Sequence, residues 1–153
     1  MAENKPQTYA NHTRFDPLFH FFLIPVAALT ALGVIFHSVR DIFLRPGLES
    51  VVHGVIHTVM ALALVTLVLK VRLYSLKVQD RVIRLEERLR LTQLLSEPLR
   101  ARIPELTEDQ LIGLRFASDA EVPKLVERAL NEKLTRKQIK QAIQNWRPDY
   151  WRV

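Results

Sequence analysis

The chain has 153 residues, 48% of them hydrophobic, a net charge of +6 and no cysteine, a length that suits one domain or a membrane part with one small soluble part. The lack of cysteine excludes a disulfide framework and thiolate chemistry, and four glycines, at positions 33, 47, 54 and 113, cannot build a Gly-rich phosphate loop. The basic balance is compatible with nucleic acid or with a membrane surface, and the distribution of apolar residues favours the membrane.

Residues 1–15 form a polar N-terminal segment that reads as irregular. RFDPLFHFF then opens the first apolar stretch. Asp16 suits the N-cap, and Pro17 suits the first helical position, where its missing N–H costs nothing. Between Pro17 and Val39 the only residues outside the apolar set, apart from Pro25 and Gly33, are His20, Thr30, His37 and Ser38. A bilayer core of about 30 Å needs roughly 18–20 such residues, so residues 17–39 are expected to span it. Pro25 removes one backbone hydrogen bond, and a kink is expected there. Beyond it, Ala27, Ala28, Ala31 and Gly33 offer a small-residue patch for close helix contact, here taken as an oligomer contact.

Pro46 and Gly47 make a short turn, so the second span, about 48–69, should return antiparallel. No formal charge occurs from Val51 to Leu69, and no Gly or Pro lies between Gly54 and Pro98. One helix is therefore expected from about Leu48 to Leu95, near 70 Å at ~1.5 Å per residue. Its extension, residues 70–97, carries an apolar stripe at Val71, Val78, Val82, Leu85 and Leu89. Glu86 and Glu87, among Arg84, Arg88 and Arg90, read as a solvated ion-pair face.

Residues 98–153 should fold as a small helical domain with an aromatic tail. Thr107 can cap a helix to about Phe116, Ser118 to Glu121 matches a capping box, and Thr135 can cap a helix to about Trp146. The expected fold class is all-α: a two-span transmembrane helical hairpin, its second span continuing as a long cytoplasmic helix, plus this C-terminal domain. An N-terminal signal peptide is disfavoured, because the apolar run starts late and lacks both a basic n-region and an A-x-A site.

Charge sets the orientation. In the turn, Arg40 and Arg45 are balanced by Asp41 and Glu49, whereas Lys70, Arg72, Lys77, Arg81 and Arg84 face only Asp80. By the positive-inside rule both termini are cytoplasmic, in what is expected to be a bacterial cytoplasmic (inner) membrane. Nucleic acid is not an expected partner. Arg136, Lys137 and Lys140 lie on the last helix, but acids interleave with them.

His37, His53 and His57 fall in the outer half of the spans, and ionisable groups there carry a functional hypothesis. They are candidate haem or metal ligands. Against that reading, no carboxylate lies near the pair inside the span to orient a ring nitrogen and no CxxCH occurs. Imidazole hydrogen bonds between helices, about 0.6–2 kcal/mol each, are the favoured reading, so no cofactor is expected. His20 sits among phenylalanines in an interfacial aromatic belt. Trp146, Tyr150 and Trp151 are expected to pack the small domain or dock it on head groups, and Asp16 and His20 also count as interfacial positions. No catalytic or metal-binding signature occurs.

NHTRFDPLFHFFLIP (11–25), LIGLRFASDAE (111–121) and QAIQNWRPDYWRV (141–153) together resemble an uncharacterised bacterial family of small two-span membrane proteins, a domain of unknown function. The likeness covers nearly the whole chain, implies the two-span layout and supplies no activity. The gross plan also resembles the large mechanosensitive channel, with no shared motif. The leading expectation is a non-enzymatic membrane scaffold or accessory subunit, in contact with lipid and acting through self-association or a partner complex. The alternatives are a small homo-oligomeric channel and a haem-binding electron-transfer subunit.

Overall fold

A computed structural model describes residues 6–13 and 15–149. Its regular elements are all helical, and the only extended pairing among the described residues is an isolated antiparallel bridge between Ala117 and Trp146. Two compact units divide the described chain: residues 15–76, and residues 77–149 with 6–13.

In the first unit Asp16 caps as expected, its Oδ1 accepting from the N–H groups of Leu18 and Phe19 at 3.0 and 3.3 Å. The first turns, Leu18–Leu23, are π-helical and lead into α1, Ile24–Leu44. The Ile24 N–H reaches back to the Phe19 carbonyl. The disturbance expected at Pro25 thus appears as a widened turn just before it, where the ring would otherwise crowd the Phe21 carbonyl.

Helix α2 follows as one element of 47 residues, Leu48–Leu94. Both α1 and α2 are long and apolar enough to cross a membrane. Within the first unit they touch near the turn, where a Cβ on Gly54 would lie 3.3 Å from Ser38 Cβ. Toward the other end, the Arg72 guanidinium lies 5.4 Å from the Phe19 ring centre. The buried positions of this unit are all small: Ala27, Ala31, Gly54 and Ala61. Small residues let two backbones approach closely.

The second unit closes around the end of α2. Leu91 and Leu95 enter a core with Leu111, Leu114, Phe116, Val126 and Ile139, so the residues expected to form a separate extension contribute directly to the C-terminal core. A 3₁₀ turn, Arg100–Glu105, leads to three short helices: α3, Glu108–Leu114, α4, Val122–Asn131, and α5, Arg136–Ala142. Thr107 and Thr135 each form a full capping box, with Gln110 and Gln138. Helix α3 packs closely on α5, since a Cβ on Gly113 would lie 3.2 Å from Ile139 Cγ2.

Ser118 and Glu121 do not form the expected capping box. The Glu121 carboxylate instead accepts from the N–H groups of Gln144 and Asn145, at 2.9 and 3.0 Å. That capture holds the chain out of helix, and α5 ends at Ala142 rather than near Trp146. The polar N-terminal segment is likewise tied down. Gln7 Nε2 donates to the Asp149 carbonyl at 3.1 Å, and the Asp149 N–H donates to Gln7 Oε1 at 2.9 Å.

Lys133 follows α4 at φ 50°, the left-handed region, and the Leu134 N–H closes back on the Ala129 carbonyl at 3.2 Å. A side chain there costs about 1 kcal/mol relative to glycine. Lys133→Gly should therefore raise stability by about that amount, read as a higher thermal midpoint by Trp fluorescence of the full chain.

Candidate functional site

Three histidines of the apolar helices gather at one place. Within the first unit an open groove of about 1080 Å³ lies beside the turn, lined among others by Thr30, His37, Asp41, Glu49, His53 and His57. Helical periodicity explains the gathering: His53 and His57 are one turn apart on α2, with ring centres 6.3 Å apart and planes at 23°. The antiparallel approach of α1 brings His37 to the same groove. All three imidazoles are exposed in the single chain. Ser50 is satisfied locally, its Oγ donating to the Arg45 carbonyl at 2.6 Å.

His53 and His57 are not placed as the two opposed axial ligands of one haem within one chain. Two imidazoles one turn apart on one helix lie on the same side of any macrocycle placed beside it, whereas two axial nitrogens must come from opposite faces. Among the described residues no group of three or more His, Cys, Asp or Glu side chains is placed to hold a metal ion.

The small-residue patch is split. Ala27 and Ala31 are buried in the helix pair, Ala28 is exposed, and Gly33 lines the groove. His20 pairs its Nδ1 with the Asp16 carbonyl at 2.8 Å and stands edge-on to Phe15 and Phe19, each at 5.2 Å. Trp146 packs in the second unit, 5.1 Å from Phe116 and 5.7 Å from His12. Tyr150 and Trp151 lie outside the described residues.

A charged cluster in the second unit escaped the sequence reading. Glu87, expected on a solvated face, is only 2% exposed. Arg90 Nη1 donates to its Oε1 at 2.9 Å, and the same guanidinium binds Asp119 Oδ1 and the Ala117 carbonyl through Nη2, at 2.6 and 2.7 Å. One arginine therefore serves a buried carboxylate, an exposed carboxylate and a backbone oxygen. Two bases of the last helix are also engaged. Lys140 is buried, with its Nζ 5.2 Å from the Phe116 ring centre, and Arg136 stands 3.8 Å from Asp109.

On α2 and just past its end the buried residues Ile83, Glu87, Leu91 and Leu95 repeat every four positions. The expected apolar stripe lies on the opposite side. Val78, Val82, Leu85 and Leu89 remain 61%, 47%, 61% and 59% exposed, so the C-terminal helices do not cover it.

The family model for DUF6526, a family of unknown function, matches residues 1–153. The chain belongs to this family. No curated protein and no solved structure matches it. The match spans the motif stretches at both ends of the chain that carried the resemblance, and it assigns no ligand or reaction to the groove or to the charged cluster.

Burial raises the pKa of Glu87 against the opposing pull of Arg90. An acid held protonated more strongly in the folded than in the unfolded state contributes stability that is complete below its ordinary pKa. That contribution is lost as pH rises through the raised value. Glu87→Gln removes this loss. Its stability relative to the parent protein should increase as pH rises above the ordinary carboxylate range, measured by denaturant unfolding followed through Trp fluorescence. Parallel pH profiles would show that Glu87 ionises as freely in the fold as outside it.

Proposed function

We propose that this protein is a non-enzymatic integral membrane scaffold or accessory subunit that acts by self-association, with α1 and the first half of α2 crossing a bacterial cytoplasmic membrane. The observation that carries this reading is the exposure of His37, His53 and His57 along one groove of an otherwise apolar helix pair. Imidazoles facing lipid are costly, and packing the groove against another protomer covers them at close range. Large apolar side chains such as Leu29, Leu32, Val59 and Leu67 are exposed around the same pair, as lipid-facing surfaces require.

The pairing of Gln7 with Asp149, 142 residues apart in sequence, supports an even number of crossings, because it holds both ends of the chain in one unit. With the basic residues that follow the second span, it supports a cytoplasmic position for both termini.

A small homo-oligomeric channel is the second reading, favoured by the polar groove itself. The groove extends no deeper than Thr30 and His57. Further along, the Thr66 hydroxyl is already bonded to the Leu62 carbonyl at 2.8 Å, which leaves little polar material for a continuous path. The scaffold reading is therefore preferred.

Purification in mild detergent with native mass measurement is expected to give a multiple of 17.8 kDa. A Cys at Glu49 in this cysteine-free chain is expected to react with an impermeant maleimide from outside intact cells. A monomer that forms no crosslink in membranes from a Cys at Gly33 would overturn the scaffold reading. Labelling at position 49 only after permeabilisation would reverse the orientation.

A further inference from the structure

The bare face of α2 has the spacing of a coiled-coil seam. Val78, Val82, Leu85, Leu89 and Thr92 follow one another at steps of four, three, four and three, which is the a/d repeat of a heptad with Val82 and Leu89 at a. In sequence the same steps reach back to Ser75 and Val71. The two hydroxyl residues in the series are already satisfied: Ser75 Oγ donates to the Val71 carbonyl at 2.9 Å and Thr92 Oγ1 to the Arg88 carbonyl at 2.8 Å. Burying them leaves no unpaired donor.

The flanking positions carry charge of matched sign. Arg81 and Arg88 fall at g and Glu86 at e, all three are exposed, and none is in an ion pair among the described residues. In a parallel pair, a g residue faces the e residue five positions on in the partner helix. Arg81 of each chain then meets Glu86 of the other, twice by symmetry. An antiparallel pair would set g against g and bring arginines together. Three or more strands would bury the e and g positions, and here these are charged.

We propose that this face of α2 is the seam of a parallel two-stranded coiled coil formed with a second copy of the chain. The chain's own C-terminal helices occupy the opposite face, through Ile83, Glu87, Leu91 and Leu95, so pairing requires no rearrangement of that unit. The proposal rests on the membrane-scaffold reading in one respect: insertion in a common orientation sets the two α2 helices parallel.

The test uses the full chain in native membranes, with Leu85→Cys as the reporter of the seam and Gly33→Cys as the reporter of the membrane helices. Oxidation is expected to crosslink Leu85→Cys into dimers. Adding Arg81→Glu or Glu86→Arg alone should lower that yield roughly fivefold, and combining the two should restore it. The double reversal is decisive, because only a parallel g-to-e pairing is rebuilt by exchanging those charges. Crosslinking at Gly33→Cys with none at Leu85→Cys overturns the seam and leaves the scaffold reading standing. Crosslinking at Leu85→Cys that ignores the reversals overturns the parallel register. No crosslink at either position, with a monomeric mass, overturns both.

Discussion

A carboxylate buried in a helical core is costly, and Arg90 offsets only part of that cost for Glu87. The cost of breaking such a pair falls on whichever charge is left behind, about 3–5 kcal/mol for one partner removed. The pair is therefore a constraint on position more than a source of net stability. Arg90 also grips Asp119 and the Ala117 carbonyl, which tie the segment before α4 to α2. Once that grip is made, the side of α2 that faces the C-terminal core is settled. The opposite side is left bare for the same reason.

Helix α1 and the first half of α2 are held by a different rule. Their buried positions carry only Ala and Gly, so contact comes from backbone approach and not from interlocking large side chains. Gly54 beside Ser38 is one point of close approach. With the inner faces this small, the large apolar side chains are left on the outside, and His37, His53 and His57 collect near the turn. The histidine groove follows from that sorting.

Both ends of the chain converge on the second unit. Gln7, Asp149 and Arg115 form a connected set, with Arg115 Nε 3.2 Å from Asp149 Oδ2, while His12 packs on Phe116 and Trp146. A short polar segment of this kind has no hydrophobic period to announce it. Its order comes from backbone groups and rings supplied by residues far along the sequence, which is why it reads as irregular in isolation.

The sequence by itself determined the elements whose causes are local. Two apolar runs, the Asp16 cap, the Thr107 and Thr135 capping boxes and the unbroken α2 all depend on residues within a few positions of one another, and each stands where residue type and spacing put it. The family likeness was legible in the same way, from short stretches at the two ends. Only the tertiary structure decided the destination of groups with competing partners. Glu121 fits a capping box by spacing, yet two amides more than twenty residues away take its carboxylate. Glu87 and Glu86 are adjacent and chemically alike, and one is buried while the other is exposed, because Arg90 binds an acid 29 residues distant. Helical periodicity fixes which residues share a face. It does not fix which face is covered, because that depends on interactions between segments the period cannot see.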